Sequence, residues 1–252
     1  MGKNRFNEEM TDLDEQVGTG YVDEILGEVK SGKEATVYCC RGGSMLNGKL
    51  VAAKIYRARM VRQFANAATY NAGRLRGRDG GIRAREIRAM ERGTGLGRQL
   101  SFSNWVADEF ETLRLLHGAG VCVPEPYAAS DRIILMEYIG SEEEPARPLH
   151  AVDLEHGEAE RVFAILMRNV ELMLARDRVH ADLSPYNVLY HDGDIRIIDV
   201  PQAVDARFNP NTLSLLERDV ERICQWASRL GVDSDPQRIA RGLWSRYLRS
   251  DL

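Results

Sequence analysis

The chain has 252 residues, 44% hydrophobic and 29% charged, a composition typical of a folded globular protein and not of a disordered or fibrous one. Its net charge of −4 gives no overall attraction to nucleic acid, and no segment is long and apolar enough to span a membrane. The four cysteines (Cys39, Cys40, Cys122 and Cys224) form no C-x-x-C pair, so we expect free, buried thiols and a cytoplasmic location.

The first part of the chain predicts a polar lead-in followed by a sheet. Residues 1–20 are polar, and β-branched and apolar residues then predict strands at residues 25–29, 35–39 and 50–56. Residues 57–102 are rich in Arg and Gly, and we expect an insertion there with a short helix near residues 82–92. Between Arg57 and Arg98 the chain has 11 Arg against three acidic residues, a local charge that could suit RNA or a solvated loop.

A helix is predicted next, over residues 103–117. Its apolar residues Val106, Phe110, Leu113 and Leu116 recur at helical spacing, with Ser103 as N-cap and Gly118 or Gly120 as the end. A strand follows over residues 133–139. The acidic, proline-containing segment after it predicts a lobe boundary, with an N-lobe at residues 21–140 and a C-lobe at 141–252.

The second half of the chain predicts helices around one hairpin. Three apolar stripes have helical spacing: Val162, Leu166, Val170 and Met173; then Val220, Ile223, Ala227 and Leu230; then Ile239, Leu243 and Tyr247. Between the first two stripes, residues 188–190 and 195–198 are short apolar strands around a His-Asp-Gly-Asp turn.

The predicted hairpin brings three polar residues together. Asn187 precedes its first strand, Asp199 follows its second, and Asp182 lies five residues before Asn187. This H-x-D-x-x-x-x-N pattern, which starts at His180, is that of kinase catalytic loops. In such loops the first Asp orients the nucleophile, and the Asn and the last Asp hold Mg²⁺. Alternatively, these residues form a polar turn, and His180 supports the loop or is simply packed.

Lys54 and Glu109 form a second candidate pair. Lys54 ends an apolar strand, and Glu109 lies between apolar residues of the predicted helix, so each charge needs a partner. A Lys–Glu pair positions ATP phosphates in kinases. The alternative is an exposed Lys at a strand edge and a Glu at the helix margin.

Two further segments could contact a nucleotide. The turn after the first strand keeps only Gly32 of the three glycines in a G-x-G-x-x-G frame, which is a weak motif by itself. Met136, Glu137 and Ile139 would lie at the connection between the lobes, where their backbone could bind adenine. An ordinary buried strand is the alternative there.

Seven segments, in order over residues 21–231, resemble the RIO-type atypical protein kinases, and their Rio-one branch in particular. The segments are SGKEATVY, VAAKIYR, DEFETLRLLHGAGVCVPEPY, ILMEYIG, VHADLSPYNVLY, IIDVPQAVD and LLERDVERI. Pro201, where the family usually has Ser or Gly, departs from the pattern.

This resemblance implies an α+β, bilobal protein-kinase-like fold. Its N-lobe would be β-rich, and its reduced, mainly helical C-lobe would lack the peptide-substrate platform. Only 19 residues separate Asp199 from Asp219, which agrees with that reduction.

The resemblance also implies functional residues. Asp182 would be the catalytic Asp, Asn187 and Asp199 the Mg²⁺ ligands, and Lys54 with Glu109 the phosphate-positioning pair. Ser31, Gly32 and Lys33 would line the ATP phosphates. Family members autophosphorylate on serine, can act as ATPases and take part in maturation of small ribosomal subunits, so we expect a serine/threonine kinase or ATPase with a ribosomal partner.

Two other functions stay open. Small-molecule phosphotransferases of the aminoglycoside or choline kinase type have a similar core, although they add a larger helical region than the 53 residues that follow Asp199. A non-catalytic, nucleotide-gated assembly factor is the second alternative.

Overall fold

The computed structural model describes Leu13, Gln16, Val17, residues 19–57 and residues 95–252, with side chains in the last range from Ser103 onward. Most of the predicted Arg-rich insertion, including its helix near residues 82–92, therefore lies outside the described residues. The chain forms two compact units. The first holds the described residues up to Phe110 together with Pro126–Tyr138, and the second holds Glu111–Glu125 and Ile139–Leu252.

The first unit is built on a five-stranded antiparallel sheet. Its strands are β1 (Val22–Ser31), β2 (Ala35–Gly42), β3 (Leu50–Tyr56), β4 (Pro126–Ala129) and β5 (Ile133–Glu137), in the order β1-β2-β3-β5-β4. All four predicted strands are present, although the last stops at Glu137 and not at residue 139. The short edge strand β4 was not predicted, because it begins with a proline, which pairs only at an edge or a strand start.

The core of this unit lies on one face of the sheet. Its fully or almost fully buried side chains are Leu13, Val22, Tyr38, Cys40, Val51, Ala53, Ile55, Ile133 and Leu135. Leu13 belongs to the expected loose lead-in, yet it is completely buried in this core. Its apolar side chain gains more from removal from water than the chain loses by ordering that residue.

The helix α1 (Gly95–Gly118) begins earlier than the sequence pattern predicted. Ser103 lies inside the helix, so its prediction as N-cap is wrong. Gly95 and Gly97 disfavour a helix by about 1 kcal/mol each relative to Ala. Helix propensity therefore did not predict the first part of α1. The predicted end is confirmed at Gly118, and Gly120 beyond it has a φ of 80° that favours glycine.

The second unit is mainly helical and contains two small sheets. Its elements are β6 (Arg147–Pro148), α2 (His156–Leu174), β7 (Arg178–Val179), β8 (Val188–His191), β9 (Asp194–Ile197), β10 (Val204–Asp205), α3 (Thr212–Ser228) and α4 (Pro236–Leu248). Strands β6, β8 and β9 form one sheet, and β7 pairs with β10. The α+β fold class is therefore confirmed.

Two of the three predicted helical stripes are buried. All four stripe residues of α2 are buried, and so are those of α3 except Leu230, which lies beyond the helix end. In α4 the predicted stripe is only half-buried, and the buried residue of this helix is Ala240, which lies outside the stripe. This helix packs mainly against α3, so much of its apolar stripe stays at the edge of the unit.

Cys39, Cys40 and Cys224 are buried free thiols as expected, and Cys122 is half-buried. No helix in the described part of the chain has the length and apolarity to cross a membrane.

Candidate active site

The β8–β9 hairpin brings the predicted loop residues together. Its turn is made by Asp192 and Gly193, whose φ values of 48° and 86° match the tight turn that suits a two-residue hairpin loop. At the open end, the N–H of Ile198 donates to the carbonyl of Asn187 at 2.9 Å. Asn187 and Asp199 therefore lie on neighbouring strand ends, which confirms the convergence predicted from the sequence.

Asn187 also holds Asp182. Its Nδ2 donates to the Asp182 carbonyl at 2.9 Å and to Oδ2 of the Asp182 side chain at 3.2 Å. This use of the amide nitrogen leaves the amide oxygen of Asn187 as an acceptor for a hard cation.

Two residues of the site have left-handed backbone conformations. Ala181 has a φ of 65° and Asp199 a φ of 67°. Such values are uncommon for residues other than glycine, and they concentrate at functional sites where surrounding contacts hold the strain. Ala181 lies directly before Asp182, and Asp199 is exposed. Three other residues of this unit that are not glycine also have a positive φ.

Asp219 on α3 fixes the backbone of the Asp182 loop. It is 2% exposed, and its carboxylate accepts the N–H of Ala181 at 2.7 Å and the N–H of Leu183 at 3.0 Å. Burial raises the pKa of Asp219 to about 7, although these two N–H groups and the charges of Arg218 and Arg222 lower it. Arg218 adds a bond from its guanidinium to the Ala181 carbonyl.

His180 connects the loop to the segment between β9 and Asp199 through hydrogen bonds. Its Nδ1 accepts the N–H of Asp182 at 3.3 Å, and its Nε2 lies 3.2 Å from the carbonyl of Ile198. These two partners require the neutral ring with its proton on Nε2. Burial lowers the pKa of His180, which favours the same neutral form. His180 therefore has a supporting role through hydrogen bonds.

In the first unit, the predicted pair between Lys54 and Glu109 is present. Lys54 Nζ lies 2.8 Å from Glu109 Oε1, and the two side chains are 11% and 2% exposed. Since Lys54 is on β3 and Glu109 is on α1, the pair joins the sheet to the helix. Removing either partner would leave a buried charge uncompensated.

Tyr56 is a third member of this buried group. Its hydroxyl donates to Oε2 of Glu109, and its ring meets Trp105 edge to face with centroids 4.7 Å apart. Lys54 Nζ lies 5.0 Å from the centre of the same ring. Burial, and then the Glu109 charge, raises the pKa of Tyr56 well above its usual range, so the hydroxyl keeps the proton that it donates.

The turn after β1 is held by a bond within the turn and by Arg57, which follows β3. The N–H of Gly32 donates to the Ala35 carbonyl at 2.9 Å, and the Ser31 hydroxyl accepts a bond from Arg57 at 2.7 Å. The Gly32 N–H is thus used inside the turn in this structure. Lys33 is exposed.

The segment predicted to contact adenine starts in the sheet. Met136 and Glu137 pair with Ala52 and Val51 of β3. In the other unit, the carbonyl of Ile139 accepts the N–H of Ala146 at 2.9 Å.

The oxygen donors that the site could offer to a cation are the Asn187 amide and the carboxylates. Among the residues that the structure describes, no three His, Cys, Asp or Glu side chains form a metal site. Mg²⁺ usually keeps several waters and takes one or two carboxylates plus phosphate oxygens, so Asn187 and Asp199 fit it as partial ligands.

The sequence pattern missed the residues that position the site. Asp219 lies between Leu216, Val220 and Ile223 in the apolar stripe of α3, and an acid within such a stripe is the signal that could have shown its role. Tyr56 follows Lys54 by two residues and therefore shares its face of the strand.

Comparisons with known proteins show the family to which the chain belongs. Residues 36–239 match the RIO domain. Similar proteins include the serine/threonine-protein kinase rio1 of Schizosaccharomyces pombe, which is 32% identical over 85% of this chain and 40% of that protein. The RIO-type kinase Rio1 of Haloferax volcanii is 31% identical over 87% of this chain and 68% of its own length. Human RIO1 is 30% identical over 84% of this chain, which spans 35% of that protein.

Proposed function

Because the chain belongs to the RIO domain family, we propose that it binds ATP with Mg²⁺ and transfers or releases the γ-phosphoryl group, as a RIO-type serine/threonine protein kinase or ATPase. The observation that carries this proposal is the convergence of Asp182, Asn187 and Asp199 at the open end of the hairpin. The names of the relatives, which are serine/threonine-protein kinases, support the same reaction class.

In this proposal Asp182 orients the attacking hydroxyl or water and accepts its proton. Its side chain is 49% exposed, which leaves room for an acceptor, while Asn187 holds one of its carboxylate oxygens. The Asn187 amide oxygen and the Asp199 carboxylate would hold Mg²⁺. When bound, this ion neutralises charge on the phosphate oxygens.

Lys54 would contact ATP phosphates, with Glu109 and Tyr56 fixing its ammonium group. We propose Ser31, Gly32 and Lys33 as further phosphate contacts, and the backbone of Met136, Glu137 and Ile139 as the adenine contact. The Gly32 N–H would have to leave the Ala35 carbonyl to reach a phosphate, so this turn would change on binding.

We also propose a ribosomal particle as partner, in maturation of the small subunit. The support is the Arg-rich sequence between residues 57 and 98, whose positive charge would suit RNA phosphates. Co-sedimentation of the purified chain with small subunits, at low and at raised salt, tests this part by itself. Binding that is absent at low salt would contradict it.

The central test is incubation of the purified chain with γ-labelled ATP and Mg²⁺, alone and with candidate acceptors. Label on the chain or on an added protein, or labelled free phosphate, supports the proposal. Label that appears only on an aminoglycoside or an amino alcohol supports a small-molecule phosphotransferase. ATP binding with no loss of label from ATP supports a nucleotide-gated assembly factor.

A further inference from the structure

Arg222 contacts the side chain of Asp182, and this contact has no role in the chemistry described so far. Arg222 lies on α3, and its Nη1 is 2.8 Å from Oδ1 of Asp182. Asn187 bonds the other carboxylate oxygen, Oδ2, at 3.2 Å. The two oxygens of Asp182 are thus held by two different donors, one from its own loop and one from the helix.

The backbone of this loop is already fixed without Arg222. Buried Asp219 accepts the N–H groups on both sides of Asp182, and Arg218 donates to the Ala181 carbonyl. Arg222 donates from α3 to the Asp182 side chain itself. Its contact therefore fixes the orientation of the Asp182 carboxylate, whereas Asp219 and Arg218 fix the backbone of the loop.

The pair between Arg222 and Asp182 contributes little to folding. The two side chains are 36% and 49% exposed, and ion pairs this exposed are worth at most about 1 kcal/mol. Loss of Arg222 should therefore leave a folded protein, so its effect on the reaction can be measured.

The positive charge of Arg222 lies next to the carboxylate that would act in phosphoryl transfer. A carboxylate next to a transferring phosphoryl group brings two negative charges together, and like charges repel. A guanidinium bonded to that carboxylate makes the pair neutral and holds the second carboxylate oxygen in place.

We propose that Arg222 is a positioning residue for phosphoryl transfer, which orients and neutralises the Asp182 carboxylate. This inference rests on the proposed function. It predicts that Arg222→Met lowers kcat about 10- to 100-fold, the loss expected when a reacting group is slightly misplaced. The KM for ATP should stay within about twofold, because the contact is to Asp182 and not to the nucleotide.

Two more variants separate positioning from a structural role. Arg222→Lys should recover part of kcat, because it restores the charge without the planar fork of donors. Arg222→Ala should be partly rescued by low concentrations of added guanidinium, since the site is accessible to solvent. Arg241→Met and Arg241→Ala are the matched controls. Arg241 lies on α4, and its guanidinium pairs with Glu217 of α3 at 3.4 Å, with no bond to the Asp182 loop among the described residues.

The outcomes distinguish the inference from the proposed function. Turnover by the unmutated chain, with kcat unchanged or raised in Arg222→Met, overturns the inference alone. A raised KM for ATP with unchanged kcat also overturns it, since Arg222 would then contact the nucleotide. If the unmutated chain turns over no ATP, the proposed function fails and the inference fails with it.

Discussion

The Lys54–Glu109 pair and the Asp182 loop hold their functional groups in opposite ways. In the first unit the charged side chains themselves are buried, at 11% and 2% exposure, and Tyr56 is buried with them. In the second unit Asp182 is half-exposed and Asp199 is exposed, while the residues that fix them, His180 and Asp219, are 2% exposed each.

We therefore expect mutations in the buried pair to change both activity and stability, and mutations in the Asp182 loop to change mainly activity. A buried ion pair belongs to the core, so any change to it removes both a functional group and a packed one. The accessible groups of the Asp182 loop are held by backbone bonds to other buried residues. Substitutions of these accessible groups should lower activity with little change in the free energy of unfolding.

Lys54→Met should have the largest effect on stability. It leaves the Glu109 carboxylate buried without its cation, which costs about 3–5 kcal/mol. Urea unfolding measures this loss. The matched double variant, Lys54→Met with Glu109→Leu, should recover most of the stability but no ATP turnover. Full stability in the single variant would show that the pair is not part of the core.

Tyr56→Phe should have the next largest effect. The change keeps the ring and its contact with Trp105 but removes the donor to buried Glu109, at a cost of about 1–3 kcal/mol. Tyr247→Phe is the control, because it also loses a bond to a carboxylate, that of Asp177, which is 33% exposed and can bond water instead. An equal loss in both variants would contradict the importance of burial.

His180 should make stability depend on pH. Burial lowers its pKa in the folded state, so its contribution is complete above the usual value of 6.5 and is lost as the pH falls below it. In His180→Gln, the decrease in unfolding free energy from pH 7 to pH 5 should be smaller. His156→Gln, at an exposed position of α2, should keep the decrease of the unmutated chain. Equal slopes in both variants would argue against a buried, neutral His180.

Asp199→Asn should change stability by less than about 1 kcal/mol, because the residue is exposed and Asn also accepts its positive φ. Turnover should fall about 10²–10³-fold, and half-maximal activity should need more Mg²⁺. Asp192→Asn is the matched control, since Asp192 is also exposed and has a φ of 48°. An unchanged Mg²⁺ requirement in Asp199→Asn would remove its assignment as a ligand.

The sequence predicted those parts of the site that depend on residues close to one another along the chain. The hairpin between Asn187 and Asp199 follows from two short strands and a turn, and burial of Lys54 and Glu109 follows from charges among apolar neighbours. The ordered set of motifs also predicted the family.

The remaining features depend on contacts between distant residues. Asp219, which accepts the N–H of Ala181, is 38 residues away from it in the sequence. Arg222 is 40 residues from Asp182, so no local sequence pattern links the members of either pair. The start of α1 was missed for a different reason: Gly95 and Gly97 disfavour a helix locally but lie in one.

The most direct test of the account is Asp182→Asn, with ATP turnover, ATP binding and urea unfolding measured on one preparation. We expect turnover to fall at least about 10³-fold, as for other residues that act on the reacting atoms. ATP should still bind, and the free energy of unfolding should change by no more than about 0.5 kcal/mol, because Asp182 is half-exposed. Turnover equal to that of the unmutated chain would contradict the assignment of Asp182 as the catalytic residue.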